Sequence, residues 1–202
     1  MSYALEVDIP EGKLRVEYTF LIDRYCHRVD AITNGCRVPL LTSCEGNDSQ
    51  AWPPSPPLQQ LTYHQVAPGR CVLLGVGMAG RSHWSISLAV NEGGAAYVWD
   101  VACRVVETPQ WLGCTYRLGC AAEAADSAWR MVLAESCVEL VAARETHQGG
   151  GTILEREGEW LWIQPQTPWK HVGTSTTFRW RYALRVINLS GTDLAPPLST
   201  EQ

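Results

Sequence analysis

Large apolar residues occupy every second position along several stretches of this chain. Leu14, Val16 and Tyr18 alternate with Arg15 and Glu17, for example. Because successive side chains of a strand point to opposite faces, this pattern predicts half-buried strands. The same interpretation gives strands at 61–66, 70–77, 82–90, 96–106 and 114–119, a hairpin at 152–163 and a last strand at 176–187.

Two further β-like stretches meet at Asn34-Gly35. Asn-Gly favours a two-residue hairpin turn, because both central positions need a positive φ. A turn here pairs residues whose numbers sum to 69, and it puts His27 on the apolar face. We therefore expect His27 to be a hydrogen-bonded core histidine, and no metal site is predicted anywhere in the chain.

The stretch 121–145 fits two structures. Its large apolar residues fall at helical spacing and alanine and glutamate are frequent, so the pattern slightly favours a helix. The alternative is a β-hairpin that turns at Glu135-Ser136.

Many short strands without a regular alternation of strand and helix are typical of an antiparallel β-sandwich. We predict a mainly β, single-domain sandwich of about ten strands, with at most one helix near 121–145. A closed barrel is the alternative. The domain is expected to span 1–190, and residues 191–202 to form a loose C-terminal tail.

A glycine-rich motif, Gly75-x-Gly77-x-x-Gly80, follows an apolar run, and Asp100 stands 20 residues after it. This spacing matches the dinucleotide-binding fingerprint, which also needs a helix directly after the last glycine. The residues from 82 to 90 alternate with period two instead. We therefore predict a strand, a bend and a second strand, and no cofactor.

The segment 45–60 is the longest irregular part of the sequence, with four prolines in the five positions after Trp52. Consecutive prolines favour an extended backbone. Trp52 and Leu58 are expected to pin the segment to the body of the protein.

Charge and composition exclude several classes of partner. The net charge of −5 argues against nucleic acid, and no apolar run is long enough to predict a membrane span. The first residues lack the basic and apolar regions of a signal peptide, so we expect a cytoplasmic protein with its eight cysteines reduced. The oligomeric state is left open.

Nine tryptophans against two phenylalanines are the strongest oddity of the composition. Tryptophan rings fill the space between sheets or stack on flat ligands such as sugars. The strand pattern assigns five of them to the core: Trp84, Trp99, Trp160, Trp162 and Trp180. Trp52 and Trp169 lie beside prolines in loops and are candidate ligand-binding residues.

Two groups of cationic residues are candidates for binding. Arg81 and His83 follow the glycine-rich bend, and His83 faces outward if Trp84 faces the core. Arg179, Arg181 and Arg185 share one face of the last strand. Such a stripe can bind an anion through forked hydrogen bonds, or it can pair with carboxylates of a neighbouring strand, such as Glu155, Glu157 and Glu159.

These patterns favour a binding or interaction module with a small-molecule or glycan ligand, a carbohydrate-like one being the first candidate. The alternative is an enzyme acting on a sugar or small anion through His83, Arg81 and an acid from another strand. A dinucleotide-dependent oxidoreductase is less favoured. No catalytic residue is assigned by the sequence.

Overall fold

The computed structural model describes residues 2–67, 70–91, 93–143, 151–167 and 175–189. These residues form fifteen β-strands and no helix. Numbered along the chain, the strands are β1 (Ser2–Ile9), β2 (Gly12–Leu21), β3 (Arg24–Thr33), β4 (Cys36–Ser43), β5 (Leu58–Ala67), β6 (Arg70–Ala79), β7 (Ser82–Val90), β8 (Ala96–Val105), β9 (Cys114–Leu118), β10 (Glu123–Ala125), β11 (Ala128–Val132), β12 (Ser136–Ala142), β13 (Thr152–Glu157), β14 (Trp160–Pro165) and β15 (Thr176–Asn188).

The strands form two antiparallel sheets packed together, which confirms the predicted sandwich. The seven-stranded sheet has the order β1-β2-β3-β4-β9-β14-β13. The eight-stranded sheet has the order β10-β11-β12-β15-β8-β7-β6-β5. The segment between β4 and β5 carries the chain from one sheet to the other.

The helix that the sequence slightly favours near 121–145 is wrong. Strands β10, β11 and β12 occupy this stretch as far as residue 142, and β12 pairs with β15 along its whole length. A helix here would leave the hydrogen-bonding edge of β15 uncovered, which a sheet avoids. A hairpin is observed instead, with Val132 opposite Cys137, but it turns at Ala134-Glu135, one residue before the predicted Glu135-Ser136.

The Asn34-Gly35 turn is confirmed, with φ of 51° and 75° at its two residues. Partners sum to 69 from Thr33 and Cys36 as far as Asp30 and Pro39. A β-bulge between Val29 and Asp30 then shifts the register by one residue. Strand alternation alone does not reveal such an inserted residue.

The core lies between the sheets and is rich in aromatic rings. Trp84, Trp99 and Trp180 are buried as predicted. Trp99 stacks on Tyr182 with ring centroids 5.2 Å apart. The core assignment is wrong for Trp160, which is 39% exposed, and for Trp162, which is half-buried on the same face, because Leu161 and Ile163 of β14 face inward and are fully buried.

The glycine-rich motif forms the β6–β7 hairpin, as predicted, with Gly80 in its turn at a φ of 54°. Gly77 serves a different purpose. A Cβ at this position would overlap the backbone carbonyl group of Pro57. The glycine therefore lets the proline-rich segment pass directly against β6.

That segment is pinned to the body of the protein, as expected. Trp52 packs against the core and Leu58 is buried. Ser55 Oγ donates a hydrogen bond to the carbonyl of Thr115 at 3.2 Å and accepts one from its N–H at 3.0 Å. These contacts seal one side of the space between the sheets.

Three further predictions concern the C-terminal part of the chain, the cysteines and membrane spans. Trp169 and the tail 191–202 lie outside the described residues. All eight cysteines are free thiols. No helix long and apolar enough to cross a membrane occurs in the part of the chain that the structure describes.

Candidate functional site

The outer face of the eight-stranded sheet carries a groove of about 510 Å³ across strands β15, β8, β7 and β6. Strand alternation creates it, since Arg179, Ala102, Arg104 and Ser85 each lie between two core residues and therefore point to the outer face. Two rows of side chains cross the groove, namely Arg179, Ala102, Ser85 and Val76, and beside them Thr177, Arg104, His83 and Met78.

One wall of the groove is cationic. Arg179 of β15 stands opposite Ala102 of β8, and Arg104 lies two residues further along β8. Diagonal neighbours of this kind are about 7–8 Å apart, within reach of long side chains. His83 is directly opposite Arg104 on the next strand. Two guanidinium groups and an imidazole therefore face the same space.

The floor and the other wall differ in chemistry. Small residues, Ala102 and Ser85, form the floor, so the backbone is accessible between the walls. Val76 and Met78 of β6 form the apolar wall. Gln59 fixes its end, since its side-chain amide accepts from the N–H of Met78 at 2.8 Å and donates to its carbonyl at 2.9 Å.

No carboxylate neutralises the cationic wall among the described residues. None of the groove-lining residues is acidic. Arg104 Nε donates to Ser175 Oγ at 2.8 Å, and Arg179 forms no ion pair with any described residue. Asp100 lies diagonal to Arg179 on β8, as Arg104 does on the other side, but it forms no ion pair with Arg179. Both arginines are exposed, and no carboxylate of the described residues accepts from either guanidinium group.

The predicted arginine stripe divides into three environments. Arg179 lines the groove. Arg181 is half-buried, and its backbone N–H donates to Thr152 Oγ1 at 3.0 Å. Arg185 binds Glu139 with Nε–Oε2 and Nη2–Oε2 distances of 2.9 and 2.6 Å. The expected pairing with Glu155, Glu157 or Glu159 is therefore wrong, because β12, and not the β13–β14 hairpin, is the neighbour of β15.

The remaining candidates are separated. His83 lies in the groove, whereas Arg81 is exposed at the β6–β7 turn and is not among the groove-lining residues. Trp52 is half-buried against the core. Sequence reasoning missed Arg104, although alternation along β8 puts it on the outer face with Asp100. What the sequence lacked was the neighbour relation of β8 and β15.

A second polar cluster lies between the sheets. His27 Nε2 and Tyr116 Oη are 2.7 Å apart, and Tyr116 Oη and Tyr182 Oη are 2.6 Å apart. His27 is thus the satisfied core histidine that the sequence predicted. Ser43 Oγ links the cluster to Glu45, since it donates to the Glu45 carboxylate and accepts from the N–H of His27 at 2.8 Å.

Burial sets the protonation of this cluster. Desolvation lowers the pKa of His27 to about 3 and raises that of Glu45 to about 7. The cavity beside them measures only about 10 Å³, room for a single water molecule. The proline-rich segment closes it through Ser55 and Pro56. The cluster is therefore part of the core, and the open groove is the candidate site.

Comparison with known proteins adds no assignment. The chain matches no family model, no curated protein and no solved structure. No group of three or more histidine, cysteine, aspartate or glutamate side chains suited to a metal ion occurs among the described residues. A function is therefore inferred from the groove alone.

Proposed function

We propose that this protein is a binding module that holds an anionic ligand in the groove on its eight-stranded sheet. The observation that carries the proposal is the pair Arg104 and Arg179, which share the groove with His83 and with no carboxylate. Arginine presents a planar fork of donors that matches carboxylate, sulfate and phosphate groups.

The location of these charges supports binding over a purely structural role. Two neighbouring cations repel each other, and a protein with a net charge of −5 has acidic residues with which to pair them. It pairs other arginines in this way, as in the contact of Arg185 with Glu139. An anion between Arg104 and Arg179 would relieve their repulsion.

The enzyme alternative needs more than the groove supplies. It requires Arg81 and an acid beside His83, and of these only His83 lines the groove. A neutral carbohydrate is also less well matched, since Trp52 is half-buried and no exposed indole faces the groove among its lining residues. The enzyme hypothesis and the carbohydrate hypothesis both stay predictions, and the same titration includes ligands that test them.

The test is isothermal titration at low ionic strength with sulfate, phosphate, acetate, neutral oligosaccharides and NAD. Binding of the inorganic anions or acetate is expected, weakened by added salt because exposed charges are screened. Arg104→Gln and Arg179→Gln should each lower the affinity about tenfold, the loss expected for one charge-assisted contact.

Arg117→Gln is the matched control, because it removes the same charge from the other sheet, where Arg117 pairs with Glu159 at 2.9 Å. It should leave anion affinity unchanged. If all three variants weakened anion binding equally, the effect would come from net charge alone, and this result would refute a site in the groove. Binding of neutral sugar alone would favour the carbohydrate hypothesis.

A further inference from the structure

We propose that the ligand of the groove is an amphiphilic anion, with a carboxylate or sulfate head on the arginines and a single aliphatic chain on the apolar wall. This inference rests on the proposed function for the head group. The apolar chain is a separate claim, and different residues of the groove carry it.

The apolar wall is the first argument. Leu74, Val76 and Met78 occupy the outward positions of β6 and are 41%, 48% and 47% exposed. The outward positions of a strand with one buried face are ordinarily polar. Contiguous exposed apolar side chains are typical of interaction sites. This row therefore offers a contact surface for an apolar group.

Charge complementarity identifies the rest of that partner. The apolar row faces Arg104 and Arg179 across the same groove. A purely apolar partner would leave both guanidinium groups without an acceptor, and a simple inorganic anion would leave the apolar row in water. A molecule with an anionic end and an apolar end satisfies both walls.

The dimensions fit such a molecule. Neighbouring strands are about 4.8 Å apart, so three strand spacings place the apolar row about 14 Å from Arg179 on β15. The small floor residues Ser85 and Ala102 leave this path open. Met78 has a flexible, polarisable side chain that adapts to a mobile chain. A medium-length aliphatic chain spans the distance in extended form.

The test is a titration series of acetate, hexanoate, octanoate and decanoate below their micelle concentrations. Affinity should rise about twofold per methylene, since a fully buried methylene gives about fourfold and the open groove covers roughly half of each. Decanoate should therefore bind about 16-fold more tightly than hexanoate, with one site per chain. Decyl maltoside, an uncharged amphiphile, should bind far more weakly than decanoate.

Variants separate the two walls. Val76→Thr and Met78→Thr should flatten the dependence of affinity on chain length and lower the ratio of decanoate affinity to acetate affinity. Val132→Thr is the control, because Val132 is equally exposed on β11, several strands away. Val132→Thr should change neither the dependence of affinity on chain length nor the ratio of decanoate affinity to acetate affinity. Arg179→Gln should weaken every carboxylate by a similar factor.

The outcomes distinguish the inference from the proposed function. Acetate and decanoate of equal affinity would overturn the amphiphile and keep the anion site. Decyl maltoside as tight as decanoate, or many molecules per chain, would show adsorption and overturn both. A glutamate-rich peptide that binds more tightly than decanoate would assign the groove to an acidic protein segment instead. Absence of any anion binding would refute the proposed function itself.

Discussion

The outer faces of the two sheets use arginine in opposite ways. On the seven-stranded sheet, Arg15, Arg28 and Arg37 all contact Glu17, at 2.9, 2.9 and 3.3 Å. Asp30 adds contacts to Arg28 and Arg37 at 3.2 and 3.4 Å. In the groove, Arg104 and Arg179 contact no carboxylate of the described chain. Cross-strand register therefore decides which arginines are available to a ligand.

The same distinction separates two ends of the eight-stranded sheet. Glu139, which is buried, accepts hydrogen bonds from Arg130 and Arg185, at 2.9 Å from each Nε. Burial alone would raise the pKa of Glu139, but these hydrogen bonds bring it below its ordinary value. Three strands meet in this ion triad, and nothing comparable occupies the groove.

The largest effect is expected where the groove is built. Gly77→Ala would place a Cβ 2.8 Å from the carbonyl carbon of Pro57, and backbone atoms cannot move aside as side chains do. We expect a loss of about 3 kcal/mol of unfolding free energy, the upper range for overpacking. Chemical denaturation measures it, and anion binding should be lost as well.

Gly75→Ala is the matched control on the same strand. Its Cβ would meet Leu61 Cδ2 at 2.7 Å and Ile86 Cγ1 at 2.9 Å, and these side-chain atoms can shift where a backbone carbonyl cannot. The cost should be about 1 kcal/mol. If both variants are equally stable, the close approach of Pro57 is not what requires a glycine at position 77.

The second prediction converts the ion triad into a free cationic site. Glu139→Gln leaves Arg130 and Arg185 without their common carboxylate. We expect a loss of about 2 kcal/mol, below the range for fully buried pairs because both arginines are part-exposed. Titration should also reveal new sulfate binding at this end of the sheet.

Glu159→Gln provides the comparison, since it removes an exposed partner of Arg117. Surface pairs contribute about 0–1 kcal/mol, so its effect should be near the lower end. A Glu139→Gln variant that stays silent towards sulfate would show that an unpaired arginine alone does not make a binding site.

The third prediction gives the groove the carboxylate that it lacks. Ala102→Glu introduces an acid directly opposite Arg179 and two residues from Arg104 on the same strand. Anion affinity should fall at least about tenfold, while stability changes by less than about 0.5 kcal/mol, as for most surface substitutions. Ala102→Gln has the same size without the charge, so it measures how much of the loss comes from filling the floor of the groove, and it should bind more tightly than Ala102→Glu.

The sequence predicted the sandwich because period-two alternation is a local property. It also predicted the β6–β7 hairpin, since a strand after Gly80 excludes a phosphate-binding helix. It missed β1 and misjudged β10 to β12, where apolar spacing fits helix and strand alike. The bulge beside Val29 is likewise invisible, because one inserted residue leaves no compositional signal.

The site was harder to predict than the fold. Alternation placed His83 and Arg179 on the outer face, where both line the groove, because it gives the face on which each side chain lies. Arg104 was missed, and Arg185 was assigned the wrong partners. Both errors have one cause, since the order β12-β15-β8-β7 joins strands far apart in sequence. The pattern of apolar and polar residues predicts the face on which a side chain lies, but only the strand order shows which strands are neighbours.

The smallest effect concerns the polar cluster between the two faces. Glu45, with its pKa raised by burial from 4.5 to about 7, binds a proton more readily in the folded chain, so it adds stability as pH falls from 7 to 4.5. His27, with its pKa lowered by burial from 6.5 to about 3, removes stability as pH falls below 6.5. The two slopes oppose each other between pH 6.5 and 4.5.

Stability of the native protein should therefore change little in that window and fall steeply below it. Glu45→Gln removes the stabilisation that Glu45 supplies as pH falls. The free energy of unfolding should then begin to decrease near pH 6.5, by about 1 kcal/mol per pH unit, because of His27. His27→Gln should remove the acid loss instead. Urea denaturation at several pH values measures both, and parallel profiles for the native protein and Glu45→Gln would contradict the assignment. Because neither residue lines the groove, Arg179→Gln, which adds no group that titrates in this range, should keep the native pH profile while it weakens anion binding, and this separates the outer face from the core.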